Sequence, residues 1–211
     1  MTRRPTAAAA ALLAALTLGA TGCGRDSDPA DPSTSPTPTA STNSTAPTPS
    51  ATGGAPADWE EKFTTEELSA ARNAMHTWER FRPRLDEIYK KGKLTPEAKK
   101  TLQEYSFFWQ RDIVTLGETY EKGGLRLVEG VAPLWSYVNS VRLNKDGTGQ
   151  VVIVQCTDYG PLRYTRNGKP QKINKPENLV TPLLVTMTKP DDEHGWMHEE
   201  SELKDKQSCA E

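Results

Sequence analysis

The apolar and polar positions divide the chain into four stretches of different character. From Ala7 to Leu18 alanine and leucine run almost unbroken. From Gly24 to Ala57 there is no aromatic residue, and no apolar side chain is larger than proline. From Phe63 the apolar residues follow a helical period: Leu68, Ala71, Met75, Trp78 and Leu85 form one stripe. Thr64 with Glu67 predicts a capping box, and Phe63 can pack on Leu68 as a staple. Pro83 predicts a kink or a restart before the helix ends at Lys91-Gly92. Thr95-Pro96-Glu97 opens a second helix through Leu102 and Tyr105. Phe107-Phe108-Trp109 is expected in the core, and a further helical stretch is expected from Asp112 to Lys122, stopped by Gly123-Gly124.

After Gly124 the period changes to alternation. Strands are predicted over Leu125–Val128, Val131–Leu143, Gly149–Asp158, Leu162–Arg166, Asn178–Thr188 and Gly195–Leu203. Asp146-Gly147 and Asn167-Gly168 are hairpin turn signals. In Val151–Cys156 both faces are largely apolar, which predicts a central strand. Helices first and a meander afterwards give an α+β domain, with N-terminal helices packed on one curved antiparallel sheet.

The first two stretches place the protein. Met1-Thr-Arg-Arg-Pro, the short apolar run and Gly19-Ala-Thr-Gly-Cys23 together describe a secretory signal. The run is about 12 residues, short of the roughly 20 a membrane span needs. Ala20-Thr-Gly-Cys23 resembles a bacterial lipobox, in which the cysteine thiol takes a diacylglyceryl group and becomes the mature N-terminus. Ala20 stands where a larger aliphatic residue is usual, and an ordinary secreted protein cut nearby is the alternative. Arg3-Arg4 also leaves twin-arginine export open beside the general secretory route. The expected domains are a signal peptide at 1–22, a lipidated Cys23 with a disordered Pro/Ser/Thr/Ala-rich stalk to 57, and a folded domain from 58 to 211. The stalk cannot bury a core that offsets its ordering. It would hold a domain away from the outer face of the membrane.

Formal charge is -2, and the leader carries two of the arginines. Bulk charge therefore points away from nucleic acid, and away from anionic lipid or wall polymer as electrostatic partners. The expected partners are membrane lipid through Cys23 and a protein or small-molecule ligand of unknown identity. With Cys23 lipidated, Cys156 and Cys209 remain in an oxidising compartment and are expected to pair; two free thiols are the alternative. The bridge would close a loop of roughly 50 residues, worth roughly 4 kcal/mol on the chain-entropy account.

The domain layout resembles the NTF2-like fold, the group of SnoaL-type cyclases and ketosteroid isomerases. The signal, the stalk, the Trp78 helix, the Val154-x-Cys156-x-Asp158 strand, Trp196 and Cys209 look more narrowly like small secreted actinobacterial lipoproteins. The resemblance implies a cone with a pocket between helices and sheet. It implies no particular reaction, because the fold hosts enzymes, adaptors and secretion-machine parts alike.

Candidate chemistry is sparse. His194 and His198 would share a metal on a helix, but Gly195-Trp196 favours a strand, where they stand about 13 Å apart. They and Asp191, Asp192, Glu193, Glu199 and Glu200 are read as a solvated turn and strand end, and His76 as structural or exposed. Asp158 is the best acid or base, with Tyr159 and Tyr164 as partners of the kind that isomerases of this fold use. The competing reading is a turn, since Asp158-Tyr-Gly-Pro161 is rich in turn formers. No nucleophile motif or phosphate loop occurs, and neither cofactor nor metal is expected. Trp59, Trp78, Trp109, Trp135 and Trp196 are read mainly as core, with Trp59 as the candidate exposed exception. The expected function is a membrane-anchored, non-catalytic binding module. The alternatives are an enzyme on a small apolar molecule with Asp158 as base, and a structural subunit of a secretion-type assembly.

Overall fold

Capping chemistry sets the start of the helical half. Thr64 Oγ1 accepts from Glu67 N, and Glu67 Oε2 accepts from Thr64 N at 2.9 Å, so the capping box closes. It opens α1, Thr65–Lys91, in a computed structural model that describes residues 54–209. The leader, Cys23 and nearly all of the stalk lie outside the described residues. Among the described residues no helix is long and apolar enough to cross a membrane.

Phe63 meets Trp59 edge-on, at the end of a 3-10 turn, Trp59–Lys62, that the sequence pattern did not predict. α1 runs through Pro83 as one helix. Pro83 and Glu79, four residues before it, are both exposed, so the carbonyl that proline leaves unbonded faces solvent. The buried stripe is Ala71, Ala74, Trp78, Phe81 and Ile88, slightly rotated from the predicted one; Leu68, Met75 and Leu85 sit at its margin.

α2, Pro96–Tyr105, is capped by Thr95 and buries Ala98, Leu102 and Tyr105. Tyr105 stacks on Phe81 at 5.5 Å, and its hydroxyl accepts from Arg80 and Arg84, which ties α2 to α1. α3, Trp109–Thr115, begins three residues before the expected start and continues into a π-helical segment, Leu116–Lys122. Leu116 and Tyr120 of that segment point into the core. The expectation for Phe107 and Phe108 is corrected: they are 37% and 39% exposed, and Arg111 lies over the Phe108 ring.

Seven strands follow: β1 Leu125–Glu129, β2 Ala132–Leu143, β3 Gly149–Asp158, β4 Arg163–Arg166, β5 Lys169–Gln171, β6 Val180–Lys189 and β7 Met197–Leu203. They form two antiparallel sheets, ordered β2-β3-β6-β7 and β1-β4-β5, instead of one. The short β5 was not predicted. Register shows how the sheets are related. Ala132 faces Asp158 at the end of one ladder, and Glu129 faces Arg163 at the start of the other. Residues 125–143 and 149–166 are thus one long hairpin, broken where Gly130-Val131 runs opposite Tyr159–Leu162.

β3 is the central strand of the larger sheet. Val151 and Ile153 face the helices with Val138, Val185, Met187 and Trp196, and this set with the α1 stripe is the core. Cys156 is bonded to Cys209, so the C-terminal tail is fastened to the sheet. Thr181 Oγ1 lies 2.6 Å from Lys204 O and 2.9 Å from Gln207 O, which holds the tail's turn against β6.

Candidate functional site

The break in the long hairpin leaves Val131 O without a ladder partner, and α1 supplies one. Arg82 donates to Val131 O and pairs with Asp86, one helical turn on, at 3.9 Å. Gly130 passes so close to Asp86 that a Cβ there would stand 2.8 Å from its Oδ2, so a side chain at this position would have to displace the Asp86 carboxylate. Burial raises the Asp86 carboxyl above its usual range, opposed by the Arg82 charge. Neither residue stood out in the sequence; an Arg and an Asp four apart on a helix are usually a solvated pair.

Tyrosines pack beside this pair. Tyr89 of α1 stacks on Tyr120 at 4.5 Å, and the Tyr120 hydroxyl is hydrogen-bonded to that of Tyr164 in β4. Burial pushes all three phenols upward. Ring stacking of Tyr89 on Tyr120 and the Tyr120–Tyr164 pair join the smaller sheet to the helices.

The predicted acid–base set is not assembled around Asp158. Its Oδ1 accepts from Gly160 N at 2.7 Å, closing the turn after β3. Tyr159 is half-buried on the Arg82 side, its phenol raised by burial, while Tyr164 belongs to the tyrosine cluster. The turn reading of Asp158-Tyr-Gly-Pro161 therefore describes the structure.

His76 and His194 are exposed; Asp191 Oδ1 lies 2.7 Å from His194 Nδ1. His198 departs from the expected exposed strand end. Its ring stacks on Trp78 at 5.2 Å and approaches Phe81 at 5.9 Å. Burial pulls its pKa down to about 4, so the imidazole is neutral near pH 7. Among the described residues no group of three or more His, Cys, Asp or Glu is placed to hold a metal ion.

What the fold does bring together is a cleft of about 370 Å³ between α1 and the β2–β3 ladder. Met75, Trp78 and Arg82 come from the helix; Pro133, Trp135 and Gln155 come from the strands. Gln155 is buried, and its Oε1 accepts from Trp78 Nε1 at 2.8 Å, which fixes both groups. Trp135 stacks on Tyr137 at 6.1 Å. Its Nε1 is buried and has no hydrogen-bond partner among the described residues, whereas a buried indole N–H ordinarily finds one. The cleft is therefore mainly apolar, with the Arg82 guanidinium, the Glu79 carboxylate and a fixed carboxamide in its walls. Its size and lining are those of a small-molecule or side-chain pocket. Trp78 and Trp135 were visible in the sequence, but only the helix–sheet contact shows that they share a wall.

No family model matches this chain. No curated protein matches it either. Among solved structures, the intermembrane-space region of the chloroplast protein ARC6 is similar at a TM-score of 0.38 and 15% identity, covering 61% of this chain and 94% of that one. A likeness of that extent transfers neither fold family nor activity.

Proposed function

We propose that the protein is an exported lipoprotein, anchored at the outer face of the cytoplasmic membrane through Cys23, whose NTF2-like domain at 58–211 binds without catalysis. Its occupant is an apolar small molecule or a partner's apolar side chain, held in the cleft between α1 and β2. The observation that carries this reading is the cleft itself, with Trp78 and Trp135 as apolar walls and Arg82 and Gln155 as orienting groups. Engagement of Asp158 with the Gly160 amide favours binding over proton transfer, because that carboxylate already has a structural task.

Anilinonaphthalenesulfonate tests the cleft. Its ring system matches the indoles and its sulfonate matches Arg82. Saturable binding with quenching of tryptophan emission is expected. Met75→Trp, which fills the cleft from α1, should weaken binding at least about tenfold. Unchanged affinity in that variant would remove the cleft from the proposal. Cys23→Ala should move the protein from the membrane fraction to the medium, and continued membrane retention would refute the anchor.

A further inference from the structure

The near-neutral charge of the whole chain hides a local concentration. Between Asp158 and Glu177 there is no acidic residue, and a basic one stands at every third position: Arg163, Arg166, Lys169, Lys172 and Lys175. All five are exposed. They occupy β4, β5 and the segment that follows, so they lie around the outer end of the smaller sheet.

The hairpin does little to neutralise itself. Arg163 pairs with Glu129, and Lys175 Nζ donates to Gly160 O at 2.6 Å. Lys169 and Lys172 have no ion-pair partner among the described residues. Arg166 and Lys169 are direct cross-strand partners, and like charges in that position destabilise a ladder. The turn between them holds the arrangement: Asn167 and Gly168 both take positive φ, 51° and 79°, as a tight two-residue hairpin demands.

Beside these charges lies an apolar groove of about 470 Å³, lined by Val128, Leu162, Pro170 and Ile173, with Arg163, Lys172 and Lys175 completing its walls. Val128 is 53% exposed in the middle of a strand. Exposed apolar groups inside a cationic fringe match a surface that is anionic outside and apolar beneath. An acidic protein would match the charge but leave the groove unexplained.

We propose that the β4–β5 hairpin and its groove are a docking surface for an anionic lipid bilayer, with the basic side chains on the headgroups and the Val128–Ile173 groove against the acyl boundary. The surface reverses the expectation drawn from bulk charge, because attraction at a membrane acts within a Debye length and sees only the nearest residues. It stands on the hairpin's own charge, whether or not Cys23 carries lipid.

Vesicle flotation of the full chain carrying Cys23→Ser, made unlipidated, tests it. Phosphatidylcholine vesicles containing phosphatidylglycerol should float the protein far better than phosphatidylcholine alone, and added salt should release it. K169E/K172E should weaken binding to the anionic vesicles about 30-fold or more, since each surface lysine supplies attraction of order 1 kcal/mol. Val128→Asp should weaken it as well, without altering the five basic residues. All three positions are exposed and outside the core, so both variants should keep the parent's unfolding transition. Equal flotation by the Cys23→Ser protein with and without K169E/K172E would overturn the proposal, as would equal affinity for neutral vesicles. Capture by polyglutamate without anionic-vesicle binding would also overturn it and assign the hairpin to an acidic polymer.

Discussion

The two ends of the long hairpin are made from one continuous ladder and meet opposite fates. The end formed by β2 and β3 is covered by α1 on one face, is flanked by β6, and carries the disulfide to the C-terminal tail. The end formed by β1 and β4 is flanked only by the three-residue β5 and is held to the helices by Tyr89, Tyr120 and Tyr164. The first end is mostly packed, and the Trp78–Trp135 cleft opens between its ladder and α1. The second leaves Val128, the groove and five basic residues in solvent. Pairing register alone did not decide this. Coverage did: α1 packs on both lengths, burying Leu127 in one and Val151 and Ile153 in the other, but β6 and the disulfide-bound tail cover only the β2–β3 length.

Breaking the covered end should have the largest effect. Replacing both Cys156 and Cys209 by alanine frees the tail and should cost about 4 kcal/mol, read as a lower denaturant midpoint. Non-reducing mass analysis of the parent should find neither thiol open to alkylation. A loss below about 1 kcal/mol would mean that the tail contributes little to the covered end.

Next comes the Trp78–His198 stack. The folded imidazole titrates near 4, against 6.5 for an unperturbed one. As pH falls from above 6.5 toward 4, the unfolded chain takes up the proton and the folded chain resists it. Stability is therefore lost over that window, by up to about 3 kcal/mol, and is fully present above it. Asp86, whose carboxyl is raised, acts in the opposite sense at the acid end. His198→Phe keeps an aromatic ring against Trp78 and should flatten the loss between pH 6.5 and 4; an unchanged slope would place the acid sensitivity elsewhere.

The smallest effect belongs to the uncovered end. Gly168→Val meets no neighbour within 4 Å and is strained only by its φ of 79°, a cost of about 1–2 kcal/mol. Hydrogen exchange should quicken in β4 and β5 while β3 stays protected. Loss of protection in β3 would show that the two ends unfold as one unit.

Much of the local structure was legible in the residues. Thr64 with Glu67, Thr95 with Pro96, the apolar β3, the Asn167-Gly168 turn and the cysteine pair each act over a few residues or follow from a count. The third-residue spacing of Arg163 to Lys175 was equally legible, and net charge obscured it. The break at Gly130 was harder to see, because it depends on Asp86 approaching from a helix some 40 residues earlier. The orientation of His198 was hidden for the same reason: a strand-end imidazole is exposed or buried according to whether a ring such as Trp78 arrives from elsewhere.

The sequence by itself determined where helices and strands begin, where the chain turns, and which residues carry charge or sulfur. Those outcomes rest on backbone sterics, capping and periodicity, which act between neighbours. Only the tertiary structure decided which length of the hairpin is covered, that Trp78 and Trp135 share a cleft, and that Asp158 closes a turn. These depend on contacts between residues tens of positions apart, and the burial that makes a tryptophan core or a histidine neutral exists only once those contacts form.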